Sequence, residues 1–255
     1  MTASEILVAE AVYYRGNWKA IVDAINQKKI LPVDDIIRIN KSIRCKTLTI
    51  LDKDYPEYLK ELYQPPLVLF YYGDISLINN PKTNLAIVGT RKPSEVGADI
   101  TKQIAKGIAK KYVTVSGLAL GVDAIAHKET IDNGGKTVAV LGCGIDICYP
   151  TKNKEIYEEI KKNHLLVSEY PGITPPSAEN FPFRNRLIAQ FSKAILVTES
   201  KKRSGSSITV MYGLCYGRDV MCVPSTDYGN SGCNSHIRDG ATLVENAKQV
   251  IEMME

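Results

Sequence analysis

Four short stretches of this sequence carry residue types that can hold an anion. Gly89-Thr90-Arg91 sets a cation in a glycine turn, and Ser116-Gly117-Leu118-Ala119-Leu120-Gly121-Val122-Asp123 is a second such turn. Arg203-Ser204-Gly205-Ser206-Ser207-Ile208-Thr209 places small hydroxylated residues directly behind the cations Lys201, Lys202 and Arg203. Phe181-Pro182-Phe183-Arg184-Asn185-Arg186 interleaves aromatics with arginines. Small residues let a ligand approach backbone N–H groups, the first N–H groups of a helix lack internal partners, and an arginine at that mouth strengthens the positive end of the helix dipole. The chemistry this predicts is phosphate binding, with aromatic rings beside it for bases.

Each stretch also has a plainer use. The glycines can serve backbone geometry alone, Arg91 can be a solvated surface arginine, and Lys201 and Lys202 alone read as a charged loop. Asp123 suits the first turn of a helix, and one of Phe181 and Phe183 is expected in the core. Arg184 and Arg186 stand two residues apart and cannot face the same way on one helix. One is expected to reach the crevice while the other anchors the turn or pairs with a carboxylate. What favours the functional reading is pooling: Arg184, Arg186, Lys193, Lys201, Lys202 and Arg203 face one acid, Glu199, between positions 181 and 203.

The obvious phosphate ligand, a nicotinamide cofactor, fails on its own fingerprint. No G-x-G-x-x-G is present, and the second strand ends in Ser116-Gly117 where an acid should receive the ribose hydroxyls. There is no G-x-S-x-G and no histidine in register with a serine and an aspartate, so no catalytic residue is assigned. His127, His164 and His236 are scattered and the six cysteines form no C-x-x-C pair. Reduced buried thiols are therefore expected, with no metal and no cofactor.

The elements that must position these turns are legible as apolar runs. Those at 85–88, 113–115, 137–142, 165–167, 194–198 and 219–223 each end in turn chemistry, with helical patterns in most gaps. Such alternation predicts an α/β fold, a mostly parallel buried sheet with helices on both faces. In a parallel sheet the turns share one edge. Ser94 is placed to cap a helix over 95–111, Asn133-Gly134-Gly135 to end the next, and Gly217 to end one at 212–216. Leu67–Tyr72 reads as a further strand. Residues 1–45 read as short helices, with Asn17 capping one and Pro32 starting another, which predicts a small helical (SAM-like) domain before a main domain at 46–255.

Composition sets limits. The 255 residues suffice for one α/β domain with an appendage, and 44% hydrophobic with 24% charged residues is ordinary for a globular chain. A net charge of +4 is too mild to argue nucleic-acid binding without local clustering. No apolar run approaches a membrane span and the N-terminus lacks a basic leader, so no membrane association and a cytoplasmic location are expected.

Taken in order, Tyr55-Pro56, Gly89-Thr90-Arg91, Ser116–Asp123, Ala126-His127, Tyr149-Pro150, Ser168-Glu169, Phe181–Arg186, Arg203–Ser206, Gly217–Val220 and Gly240-Ala241 resemble the DprA/Smf family of DNA-processing proteins. The resemblance runs from about residue 47 to 244. It implies an extended Rossmann-like domain that binds single-stranded DNA without catalysis, forms a homodimer and loads the RecA recombinase during natural transformation or homologous recombination. It implies a DNA-binding set of Gly89, Thr90, Arg91, Ser116, Gly117, Phe181, Arg184, Asn185, Arg186, Arg203, Ser204, Gly205 and Ser206. Ser207, Ser225 and His236 depart from the family pattern, and a C-terminal winged-helix domain found in some relatives is not expected here. The rival classes are a phosphoribohydrolase-like nucleotide-processing enzyme and a nucleotide sensor in the same crevice. Against the first, laying Gly205 and Thr209 on the P-G-G-x-G-T-x-x-E motif of such enzymes puts Tyr212 where the catalytic glutamate belongs.

Overall fold

A computed structural model describes residues 1–255. The apolar runs become strands of one nine-stranded sheet. In chain order these are β1 (Lys46–Thr49), β2 (Val68–Gly73), β3 (Asn84–Val88), β4 (Val113–Ser116), β5 (Thr137–Leu141), β6 (Leu165–Ser168), β7 (Ala194–Val197), β8 (Asp219–Cys222) and β9 (Thr242–Leu243). Their spatial order is β1-β2-β6-β5-β4-β3-β7-β8-β9. All pairs from β6 to β9 are parallel, and β2 joins β6 and β1 antiparallel.

The order reverses at β3, which pairs with β4 on one side and β7 on the other. In an open Rossmann-like sheet the connections on the two sides of such a strand leave on opposite faces. A crevice then opens outside the carboxyl ends, where ligands settle.

Alternate residues of each strand feed two core layers. Ala86, Val88, Val138 and Val140 face Leu187, Ile188 and Val210 from α7 (Asn180–Gln190) and α8 (Gly205–Cys215). Leu85 and Ile87 face Ile104, Ile108, Val122 and Ala126 from α4 (Glu95–Ile108) and α5 (Val122–Asp132), closed by Val250 of the final helix Ala247–Met254. Helices therefore cover both faces.

The N-terminal segment forms three helices, Ala3–Tyr13, Trp18–Asn26 and Val33–Ser42. Asn17 caps the second through its side chain, which accepts from the Ala20 N–H at 3.0 Å. Leu7, Val8, Ala11 and Ile21 pack into one cluster with Val68, Phe70, Leu141 and Leu166 of the sheet. The first two of these helices thus share apolar core with the sheet. No helix is long and apolar enough to cross a membrane.

Candidate functional site

The loops after β3, β4 and β7 are zipped together by their backbones. The Thr90 N–H donates to the Glu199 carbonyl at 2.8 Å, and the Val122 N–H donates to the Thr90 carbonyl at 3.1 Å. Gly89 is required here, since a Cβ would sit 2.6 Å from the Val122 side chain and 2.7 Å from the Glu199 carbonyl oxygen. Gly121 holds φ 77° and ψ −126°, a conformation open essentially to glycine alone, and a Cβ there would strike the Thr90 carbonyl. Gly121→Ala is expected to destabilise the fold by about 1–3 kcal/mol, read as a lowered urea midpoint.

The one acid of the basic segment is engaged elsewhere. Glu199 accepts from the Ser94 backbone N–H at 3.0 Å and from the Ser94 hydroxyl at 2.7 Å, while Ser94 Oγ accepts from the Gly97 N–H at 3.0 Å and caps α4. A side chain at Gly97 would occupy the place of that carboxylate.

Around these loops lies an open crevice of about 820 Å³, within the range of small-ligand sites. Ten of the thirteen expected residues line it: Gly89, Thr90, Arg91, Phe181, Arg184, Asn185, Arg203, Ser204, Gly205 and Ser206. Lys201 and Lys202 line it as well, as do Asp123 and Tyr149. Arg91 and Arg203 are exposed. The Arg91 guanidinium carbon stands 6.0 Å from the Phe181 ring centroid. Arg203 sits at φ 55° in the turn before α8. Ser204, at the N-cap of α8, makes no side-chain capping bond and instead lies 2.7 Å from the Ser206 hydroxyl. The first two N–H groups of α8, those of Gly205 and Ser206, lie at the crevice without an acceptor, while the Ser207 N–H donates to the Ser204 carbonyl at 3.1 Å.

Three expected residues are placed differently. Ser116 is fully buried and its hydroxyl donates to the Ile87 carbonyl at 2.6 Å, stitching β4 to β3. Gly117 does not line the crevice but backs onto Arg184, whose guanidinium occupies the space of a Cβ. Arg186 turns away from the crevice: Nη1 and Nη2 donate to the two Glu169 carboxylate oxygens at 2.6 and 2.7 Å, Nη2 also donates to the Gln64 carbonyl at 2.9 Å, and the Phe183 ring lies 3.9 Å from its guanidinium carbon. Of the two arginines, Arg184 reaches the crevice and Arg186 forms the carboxylate pair.

Arg184 is the floor cation. It donates from Nη1 to the Gly117 carbonyl at 2.9 Å and to the Val140 carbonyl, and from Nε to Asn185 Oδ1 at 3.2 Å. Burial pulls it down to about 10, with Asp123 opposing, so it stays cationic at neutral pH. Asp123 accepts from the Gly117 and Ala119 N–H groups at 3.1 and 3.3 Å, so it shapes the second turn as a helix-start acid. Burial raises its pKa while Arg184 and these donors lower it. Asn185 Nδ2 donates to the Gly205 carbonyl at 3.2 Å and ties α7 to the α8 turn. No group of three or more histidine, cysteine or acidic residues is placed to hold a metal ion.

Residues 46–255 match the model of the DNA recombination-mediator protein A family. The chain belongs to that family. DNA processing protein DprA of Streptococcus pneumoniae is 38% identical over 234 residues, covering 91% of this chain and 82% of the relative. The X-ray structure of Streptococcus pneumoniae DprA superposes with a TM-score of 0.84 at 33% identity, covering 100% of this chain and 99% of that one. DNA processing protein A of Helicobacter pylori, whose structure gives insight into its single-stranded DNA binding mode, superposes with a TM-score of 0.75 at 30% identity, covering 84% of this chain and 96% of that one. The family resemblance read from the motifs thus holds, and so does the Rossmann-like fold class.

Two crevice features had a sequence signal but no binding role assigned to them. Tyr149 enters from the loop after β5, and its signal was the Tyr149-Pro150 pair of the family resemblance. Lys201 and Lys202 had the charge run as their signal, which alone reads as solvated surface.

Proposed function

We propose that this protein binds single-stranded DNA in the switch-point crevice, without catalysis, and in doing so prepares the strand for the RecA recombinase in natural transformation or homologous recombination. The observation that carries the reading is the concentration of Arg91, Arg203 and the free N–H groups of α8 around an aromatic wall, with Glu199 held away at α4. Phosphates sit on the cations and the helix start, and a base stacks on a ring. The similarity to the Helicobacter pylori protein supports the same ligand. Family membership supports the RecA partnership, a homodimer and a cytoplasmic setting.

Fluorescence anisotropy with matched single- and double-stranded oligonucleotides at several salt concentrations tests it. Preference for the single strand is expected, with affinity growing with oligonucleotide length. If about three phosphates are neutralised, log affinity should fall against log salt with a slope of about −2. Equal binding to both forms would overturn the stacking groove. Affinity independent of length would point to a nucleotide sensor, and free base released from nucleoside monophosphates would point to an enzyme.

A further inference from the structure

We infer that Tyr149 is the residue on which a DNA base stacks, with Phe181 behind it as a backing ring; this rests on the function proposed above. Phe181 lines the crevice but is only partly exposed, with neighbours on several sides. Its edge lies where a Cβ on Gly142 would fall, 2.7 Å from Cδ1 and 3.1 Å from Cε1, and the Arg91 guanidinium stands 6.0 Å from its centroid. The Tyr149 ring covers it further, with centroids 5.6 Å apart and planes inclined at 32°. Tyr149 itself lines the crevice and is 43% exposed. The more exposed ring of the pair is therefore the one offered to a base.

The loop that carries the ring is also fastened in advance. The loop after β5 is fastened by the Gly144 N–H to the Thr174 carbonyl at 2.7 Å, the Ile145 N–H to the Tyr170 carbonyl at 3.0 Å and the Asp146 N–H to the Gly172 carbonyl at 3.0 Å. On its far side the Asn153 N–H donates to the Pro150 carbonyl at 3.0 Å. A ring carried on a backbone fastened before binding leaves less freedom to lose when a base arrives, which favours affinity. Stacking is tolerant of sequence because every base has a π-face, so this platform suits a general single-strand binder.

The test compares a thymidine oligonucleotide with an abasic sugar-phosphate strand of the same length, using the unaltered protein, Tyr149→Ala and Tyr149→Phe. On the thymidine strand Tyr149→Ala is expected to lose at least about 5-fold in affinity, the lower end of a base-stacking loss. On the abasic strand the same variant should match the unaltered protein, and Tyr149→Phe should retain affinity on both. Equal loss by Tyr149→Ala on both strands, or no loss on either, would overturn the assignment while leaving DNA binding in place. Failure of the unaltered protein to bind the thymidine strand would instead remove the proposed function on which the assignment rests.

Discussion

Glu169→Ala is expected to cost the folded state about 3–5 kcal/mol, the largest stability loss that follows from this site. Arg186 is 3% exposed and Glu169 8% exposed, and their two parallel hydrogen bonds leave the guanidinium one other acceptor, the Gln64 carbonyl. Removing the carboxylate strands a cation in the interior, where solvation cannot replace what is lost. The double variant Glu169→Leu with Arg186→Met removes both charges and should recover most of the loss, because an apolar pair of similar volume needs no solvation. Urea denaturation of the three proteins measures both effects. The double variant also separates the two arginines functionally. Since neither Arg186 nor Glu169 lines the crevice, it should bind an oligonucleotide as the unaltered protein does; weakened binding by a folded double variant would place Arg186 in the DNA contact after all.

Which arginine reached the crevice was not legible in the sequence, and the reason is physical. Spacing showed that Arg184 and Arg186 diverge, but the partner that fixes Arg186 sits just after β6, and only the sheet order brings that strand's end beside α7. Strand β6 lies three places from β3, with β5 and β4 between, an arrangement no local pattern encodes. What local pattern does encode was read well. The strands β3 to β8 are buried on both faces over most of their length, so they appear as mainly apolar runs. Strand β1, Lys46-Thr47-Leu48-Thr49, is an edge strand with its first residue exposed, and its half-polar sequence gave no such run. Capping was legible because it is local: Ser94 and Asn17 each bind an N–H three residues on.

The glycine turns show the same division. That Gly89 and Gly117 permit close approach followed from their type, but what approaches did not. At Gly89 it is a valine side chain and a neighbouring loop, and at Gly117 it is the guanidinium of Arg184. The second turn therefore contributes to the crevice indirectly, by seating a buried cation, rather than by offering its own N–H groups. Those are held by Asp123.

Arg91→Ala is expected to weaken single-strand binding by about 10- to 150-fold, the equivalent of losing one charge-assisted hydrogen bond worth about 1.5–3 kcal/mol. Arg91 is exposed and stands at the mouth of the crevice, near the Phe181 ring. Its removal should cost the fold within about 0.5 kcal/mol, since an exposed side chain at such a place holds little of the core together. A binding loss would then be a loss of contact and not of structure. The salt dependence sharpens this: one phosphate fewer neutralised should flatten the log–log slope by about 0.7 for a single strand. Arg91→Lys separates charge from shape. An ammonium keeps the counterion effect but not the planar two-pronged donor, so the slope should return to that of the unaltered protein while part of the affinity stays lost. A folded Arg91→Ala protein with unchanged affinity and slope would mean that the strand's phosphates meet Arg203 and the α8 N-terminus without ever reaching the turn after β3.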